Sequence, residues 1–239
     1  MVKRFRMIAG PNGSGKSTLV KRLSEDYKIN FYTFLNADEI FAHVAKAGAY
    51  SPKFPVEKAD LVAYAESSTY DDKVKAFFRS DAVRVEDDCV KFDKAAVNSY
   101  TMALFANFLQ DCFLLRGESF SQETVFSHPS KIEALRRARE LGYRTYLYFV
   151  ATPTPSVNKL RVAGRVAKGG HDVPADKIVS RYSRSIAQIK SALPYLSRAY
   201  FFDNGGNEMV YLGQYSEESG LALARDSKSL PQWFLEAVA

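Results

Sequence analysis

The chain has 239 residues, and its 33 Lys and Arg against 27 Asp and Glu give a formal net charge of +6. Its 46% hydrophobic and 25% charged residues are ordinary globular values, which exclude a disordered or collagen-like protein. Because no apolar run approaches the roughly 20 residues of a membrane span, and because Cys89 and Cys112 are the only cysteines, we expect one cytoplasmic domain over 1–239 without disulfides or membrane attachment.

Strands and helices are predicted to alternate along most of the chain. Short apolar or aromatic runs predict strands at 5–9, 31–35, 119–123, 146–151, 200–203 and 209–212. Apolar spacings of three or four residues, with caps and breakers, predict helices at 16–23, from 37 onwards, and at 129–141, 156–167, 174–198 and 230–238. This alternation favours an α/β fold with a mainly parallel sheet that is covered by helices on both faces.

The turn after the first predicted strand, 10–18, matches the pattern G-x-x-x-x-G-K-[ST]. Its glycines allow backbone N–H groups to approach phosphate oxygens, and the helix that follows adds its positive N-terminal dipole. Lys16 places a cation at the β- and γ-phosphates, and the Ser17 hydroxyl can ligate Mg²⁺. The sequence therefore predicts an ATP and Mg²⁺ site in a three-layer sandwich of P-loop NTPase type, lined by eight consecutive residues: Pro11, Asn12, Gly13, Ser14, Gly15, Lys16, Ser17 and Thr18.

Asp38 lies 22 residues after Lys16, at the carboxyl end of the second predicted strand. Ligands of open parallel sheets bind at that edge, where a carboxylate can take the proton of a substrate hydroxyl and orient it towards a γ-phosphate. The alternative is structural: Asn36 caps the next helix, and Asp38 and Glu39 favour its N-terminus. The sequence leaves both interpretations of Asp38 open.

Residues from about 51 to 113 interrupt the alternation, because they are mostly helix-permissive. We interpret this stretch as a helical insertion into the α/β core. Within it, 85–88 is polar and helix-like, and no hydrophobic run after the loop ends in Asp-Glu. The second Mg²⁺ carboxylate of motor-type ATPases is therefore missing, which argues against a translocase or helicase and for a compact kinase.

Glu123 and Thr124 end the third predicted strand, again at the edge where ligands bind. We expect them to contact sugar or nucleoside hydroxyls of a substrate, and the alternative is a structural role in a strand-end turn. His171 is a further candidate for substrate contact. The three histidines share no metal-ligand spacing, so a metal cluster is not expected.

A basic segment over about 153–174 has the composition of a hinged lid. Its short predicted helix is bounded by prolines and by Gly169-Gly170, and it carries four cations: Lys159, Arg161, Arg165 and Lys168. Arg161 and Arg165 share one helical face, from which their guanidinium groups can stabilise charge on a transferring phosphoryl group. The alternative is a solvated basic face.

Taken together and in this order, these motifs resemble the zeta-toxin-like P-loop kinases. The matching segments are 9–18, 36–40, 122–124, 161–174 and 181–182. The resemblance implies that Lys16 and the loop amides bind ATP, that Ser17 holds Mg²⁺, and that Asp38 is the catalytic base.

The resemblance also implies that Arg161 and Arg165 are lid arginines and that Glu123 and Thr124 face the substrate. The better-known members of the family phosphorylate a UDP-activated amino sugar and act as toxins paired with an antitoxin protein. The stretch of about 51–113 has no counterpart in the family pattern, so the resemblance leaves the phosphoryl acceptor open.

The sequence thus predicts an ATP- and Mg²⁺-dependent kinase that transfers a γ-phosphoryl group to a hydroxyl of a small molecule. The resemblance adds a nucleotide-activated sugar as acceptor and a role as a toxin. Two alternatives remain: a polynucleotide 5′-hydroxyl kinase with a continuous basic groove, and a nucleotide-binding interaction protein without phosphotransfer. A bound nucleotide is enough to account for the cations of the loop and lid, so a nucleic-acid partner is not required.

Overall fold

A computed structural model describes residues 2–170, 172–224 and 226–238 of the chain. The chain divides into two compact units. Unit 1 consists of Met1–Phe34 and Gly117–Ala239, and unit 2 consists of Leu35–Arg116.

Helices and strands alternate through the described residues. The strands are β1 (Arg4–Ala9), β2 (Thr33–Asn36), β3 (Ala49–Tyr50), β4 (Val83–Glu86), β5 (Cys89–Phe92), β6 (Phe120–Thr124), β7 (Arg144–Ala151), β8 (Arg198–Asp203), β9 (Val210–Ser216) and β10 (Gly220–Leu223). The α-helices are α1 (Lys16–Glu25), α2 (Ala37–Ala47), α3 (Lys58–Ser67), α4 (Asp72–Arg79), α5 (Ser99–Arg116), α6 (Ser130–Glu140), α7 (Pro155–Val166), α8 (Ala175–Ala192) and α9 (Gln232–Val238).

The seven-stranded sheet has the order β10-β9-β8-β7-β1-β6-β2. Strand β1 pairs in parallel with β6 and β7, and β7 pairs in parallel with β8, whereas β9 and β10 add an antiparallel edge. The predicted α/β fold with a mainly parallel sheet is confirmed. Strands β6 and β2 lie on one side of β1, and β7 and β8 lie on the other, so the strand order reverses at β1. Ligands of α/β proteins bind at the carboxyl end of the strands at such a point.

Aromatic and aliphatic side chains bind helices to both faces of this sheet. On one face, Trp233 and Phe234 of α9 lie against Phe149 and Phe201, with ring centroids 5.8 and 5.2 Å apart. Ile8 points to the opposite face, where it packs into a buried cluster with the apolar side of α1. The prediction of helices on both faces is therefore also correct.

Unit 2 combines α2–α5 with a small antiparallel sheet of order β3-β5-β4. The fully buried ring of Phe105 in α5 lies edge-on to Tyr50 and Phe92, with centroids 5.5 and 5.1 Å apart. Aromatic contacts between α5 and the sheet thus form much of the core of this unit.

The β4–β5 hairpin corrects the prediction of helix across 51–113. Glu86 pairs with Cys89, and the two residues between them, Asp87 and Asp88, have φ angles of 51° and 57°. A two-residue turn with both φ angles positive is a hairpin turn that Asp tolerates. The polar run at 85–88 was therefore wrongly interpreted as helix-like, because it is the end of a strand and its turn.

Other boundaries follow from local chemistry. The predicted cap is confirmed, since Asn36 Oδ1 accepts hydrogen bonds from the backbone N–H groups of Asp38 and Glu39 at 2.9 and 3.4 Å. Helix α8 ends at Ala192 rather than 198, because Pro194 lies in a 3₁₀ turn that follows it. Strand β10 was not predicted.

Among the described residues, no helix combines the length and the apolar character needed to cross a membrane.

Candidate nucleotide and catalytic site

The phosphate loop between β1 and α1 has the backbone that its glycines predict. Gly13 and Gly15 have φ angles of 78° and 101°, in the left-handed region that favours glycine. A Cβ at Gly13 would lie 2.7 Å from the backbone oxygen of Asn158, and one at Gly15 would lie 2.2 Å from Nδ2 of Asn204. The loop is therefore packed from two sides, by α7 and by the segment after β8.

Lys16 curls back over this loop. Its Nζ donates hydrogen bonds to the carbonyl oxygens of Gly10 and Pro11 at 3.0 and 3.3 Å, and it lies 3.8 Å from Glu123 Oε1. The side chains of Lys16 and Glu123 are 9% and 14% exposed. A cation buried to this degree needs a compensating charge. Glu123 of β6 supplies that charge, and the loop supplies the two carbonyl oxygens.

Glu123 reaches Lys16 because of strand register. It pairs with Ile8, and Thr124 pairs with Ala9, the last residue of β1 before the loop. The Thr124 hydroxyl accepts a hydrogen bond from the Phe126 backbone N–H at 3.1 Å, so this residue takes part in the turn after β6. The sequence placed Glu123 at the correct edge of the sheet, but its contact with Lys16 was not predicted.

The structure adds a buried polar network that sequence reasoning missed. Asn158 has no exposed surface; its Nδ2 donates to the Asn12 carbonyl at 2.6 Å, and its Oδ1 accepts the hydrogen bond of the Thr152 hydroxyl. The Tyr182 hydroxyl donates to the Thr152 carbonyl at 2.7 Å, and Arg181 donates to Asn12 Oδ1 at 3.5 Å. This Asn12–Asn158 network joins the phosphate loop to the end of β7 and to α7 and α8.

The network changes the interpretation of the basic segment. Asn158 and Val162 face inward, and Val162 forms a buried cluster with Val173 and Ile178. The first half of α7 thus contacts the phosphate loop through Asn158. The lid at about 153–174 stays a prediction. A single uncharged Asn on the inner face of a basic helix was the sequence signal for this anchor.

The two predicted lid arginines lie beyond the anchor. Arg161 is partly exposed and Arg165 is exposed, and together with Gly164, Lys168 and Gly170 they line an open cavity of about 470 Å³. The structure therefore groups these cations at one end of α7. Their role towards a phosphoryl group stays a prediction. His171 lies outside the described residues.

Asp38 is the second residue of α2 in unit 2, and its side chain is exposed. Its backbone N–H donates to Asn36 Oδ1, and Asp38 and Glu39 are the acidic residues of the first helical turn. The positions of Asp38 and Glu39 therefore agree with the structural interpretation, in which both acids favour the N-terminus of α2. A catalytic role for Asp38 stays a prediction.

Ser17 and Thr18 occupy the exposed side of the first turn of α1. Near them, Asn204 Nδ2 donates to the Ser14 carbonyl at 2.8 Å, which holds the loop from the side opposite α7. Within the described ranges, no cluster of three or more His, Cys, Asp or Glu side chains could hold a metal by itself.

The strand–loop–helix geometry and the mainly parallel sheet define a P-loop nucleotide-binding domain with a kinase-like fold. The sequence profile of the AAA_33 family, an AAA domain, matches residues 6–185, which are 180 of the 239 residues. The chain belongs to this family.

Two solved forms of the AvrRxo1-ORF1:-ORF2 complex share this fold. The AvrRxo1-ORF1:-ORF2 complex with ATP has a TM-score of 0.58 at 14% identity, and the native complex has 0.58 at 13%. In both cases the match covers 93% of this chain and 61% of the other, so the chain spans about three fifths of that protein. The PezAT toxin–antitoxin system of Streptococcus pneumoniae matches with a TM-score of 0.49 at 13% identity, covering 99% of this chain and 77% of the other. No curated protein sequence matches the chain.

Proposed function

We propose that the protein is an ATP- and Mg²⁺-dependent phosphotransferase that moves a γ-phosphoryl group to a hydroxyl of a small molecule. The observation that carries this proposal is Lys16, a nearly buried cation held by two loop carbonyls at 3.0 and 3.3 Å and facing Glu123. Loops of this kind bind the β- and γ-phosphates of nucleotides through their backbone N–H groups and their lysine.

Two oxygen donors beside the loop fit a magnesium ion. The Ser17 hydroxyl lies on the exposed first turn of α1, and the Glu123 carboxylate lies 3.8 Å from Lys16 Nζ at the end of β6. Hydroxyl and carboxylate oxygens suit Mg²⁺, which keeps several waters when it binds phosphates. Ser17 and Glu123 are the residues that would hold the ion. A bound Mg²⁺ would neutralise charge on the phosphates, and Lys16 would pair with the β- and γ-phosphates.

We propose Asp38 as the base that takes the proton of the acceptor hydroxyl. Arg161 and Arg165 stabilise charge on the phosphoryl group in transit, and the Asn12–Asn158 network holds the loop in the conformation that binds phosphates. Thr124 and His171 are proposed to contact the acceptor. Catalysis then rests on positioning and on fixed charge, as is usual in phosphoryl transfer.

The acceptor is proposed to be a small metabolite, with a nucleotide-activated sugar as the first class to test. AvrRxo1-ORF1 forms a complex with ORF2, and we propose that this chain also has a protein partner. The family resemblance suggests a partner of antitoxin type, and we propose that the two proteins act in the cytoplasm.

Mass spectrometry of a metabolite extract incubated with enzyme, ATP and Mg²⁺ tests the proposal. We expect a product that carries one additional phosphoryl group, absent with Lys16→Ala and strongly reduced with Asp38→Asn. An Asp38→Asn variant of full activity would remove the base assignment. ATP binding without any phosphorylated metabolite would favour a non-catalytic nucleotide-binding protein, and a product confined to added 5′-hydroxyl oligonucleotides would favour a polynucleotide kinase.

A further inference from the structure

Arginine and tyrosine side chains share one face of the sheet in unit 1, the face that also carries α1. The register places them in rows across neighbouring strands: Arg4 beside Arg144, then Arg6, Tyr146 and Arg198, then Tyr148 and Tyr200. Arg144 and Arg198 are exposed, and Arg4 and Arg6 are partly exposed. We call the first two rows, together with Tyr32, the arginine–tyrosine face.

The guanidinium groups of this face are held largely by neutral aromatic groups. Arg6 lies over the rings of Tyr32 and Tyr146, 5.1 and 5.2 Å from their centroids, and its Nε and Nη1 are buried without a hydrogen-bond partner among the described residues. Arg4 Nη1 donates to the Val2 carbonyl at 3.2 Å, and the Arg4 side chain also interacts with Tyr146. Arg198 interacts with Tyr200 and with the charge of Glu218.

This arrangement leaves like charges close together. Arg4 and Arg144 are direct neighbours on adjacent strands, and Arg6 and Arg198 flank Tyr146 in the next row. Like charges in neighbouring sheet positions destabilise a fold, and tyrosine rings and hydroxyls orient arginines without neutralising them. A bound polyanion would remove this cost, because each phosphate can pair with one guanidinium group.

We propose that the arginine–tyrosine face binds single-stranded nucleic acid. Its phosphates would pair with the guanidinium groups of Arg4, Arg144 and Arg198, and its bases would stack on the ring of Tyr32, which is 39% exposed. Sheet faces that carry both cations and aromatic rings bind single strands in this way with little sequence preference. The exposed ring area favours this occupant over an acidic peptide, which needs only the charges.

The face is distinct from the candidate catalytic site. Arg4 begins β1 and the phosphate loop follows Ala9, so about 16 Å of strand separate the first arginine row from the loop. The nucleic acid is therefore a docking partner and not the phosphoryl acceptor. Its binding does not depend on the proposed kinase activity.

Fluorescence anisotropy with a labelled oligouridylate of about 12 nucleotides tests the proposal on the full chain. Each neutralised phosphate contributes about −0.7 to the slope of log affinity against log salt, so we expect a slope of about −2.1 for Arg4, Arg144 and Arg198. The Arg4→Ala/Arg144→Ala variant should bind about tenfold more weakly or worse at low salt, with a slope about 1.4 units shallower. The matched control, Arg136→Ala/Arg184→Ala, removes two positive charges from α6 and α8 and should bind like wild type.

Three results would overturn the proposal. They are the absence of binding at low salt, equal binding by wild type and Arg4→Ala/Arg144→Ala, and a loss that occurs instead in Arg161→Ala/Arg165→Ala, which would place the strand at the phosphate loop. A labelled decaglutamate peptide that binds the face while the oligonucleotide does not would also contradict it, in favour of an acidic protein partner. Circular dichroism of each variant establishes that a loss of binding is not a loss of folding.

Discussion

Replacing Asn158 with Ala tests whether the polar network fixes the phosphate loop. The substitution removes the donor to the Asn12 carbonyl at 2.6 Å and the acceptor of the Thr152 hydroxyl, at a position with no exposed surface. The Thr152 hydroxyl can still donate to the Thr154 carbonyl, 3.1 Å away, so the Asn12 carbonyl is the group left without this donor. An unpaired buried polar group costs about 1–3 kcal/mol, and the lost side-chain volume adds about 1 kcal/mol.

We therefore expect Asn158→Ala to lower the free energy of unfolding by about 2–4 kcal/mol, or roughly 6–12 °C in melting temperature at about 3 °C per kcal/mol. The single tryptophan of the chain, Trp233, is a convenient probe, because it is buried in unit 1, where its Nε1 donates to Asp203 at 2.9 Å. Urea denaturation followed by tryptophan fluorescence thus reports on unit 1.

Lys159→Ala is the matched control, since Lys159 is the exposed neighbour on α7 and its loss should change stability by less than about 0.5 kcal/mol. Asn158→Ala should also weaken ATP binding, because the Asn12 carbonyl loses the contact that orients it. If Asn158→Ala and Lys159→Ala unfold at the same urea concentration, the network does not stabilise the loop and the reasoning is wrong.

Three further predictions follow from the geometry. Burial raises the pKa of Tyr148 and Tyr182 to about 12; because the unfolded chain loses these protons near pH 10, stability should fall between pH 10 and 12 by up to about 1.4 kcal/mol per pH unit for each tyrosine. Urea unfolding at pH 9 and pH 11 checks this. The Tyr182→Phe variant should lose less stability between these pH values than wild type, because the contribution of Tyr182 is removed. Asp88→Gly should stabilise the β4–β5 hairpin by about 0.5–1 kcal/mol, measured by circular dichroism in urea, because glycine adopts the 57° φ angle without strain. Gly13→Ala should abolish ATP binding in calorimetry, since its Cβ would lie 2.7 Å from a backbone oxygen of α7, whereas Gly142→Ala, with a similar φ of 79° but open space around it, should not.

Local patterns were enough to predict the elements that build the sheet and the phosphate loop. The loop glycines and the run that became β7 each carry their signal within a few residues, so their prediction needs no knowledge of distant contacts. The prediction missed the β4–β5 hairpin, because Asp87 and Asp88 adopt left-handed backbone conformations that their polar character does not reveal. The better signal was the alternation of apolar and polar residues in the two strands, with Val83 buried in β4 and Val90 and Phe92 buried in β5.

The site was harder to predict, because its geometry depends on contacts between residues far apart in sequence. Glu123 meets Lys16 only through the register of β6 on β1, and Asn158 meets Asn12 across 146 residues. Neither pairing leaves a local pattern. The hinged lid at about 153–174 was proposed from its cations alone, and that pattern could not include the contact made by the uncharged side chain of Asn158.

Calorimetric titration with ATP in the presence of Mg²⁺ tests the central claim most directly. Lys16 lies within the loop and contacts its carbonyls, whereas Lys21 is an exposed lysine further along the same helix. We expect wild type and Lys21→Ala to bind ATP alike, and Lys16→Ala to lose at least about two orders of magnitude in affinity, as the removal of a buried charged partner of a phosphate costs about 3 kcal/mol or more. Equal affinities for all three proteins would contradict the claim that this loop is a nucleotide site.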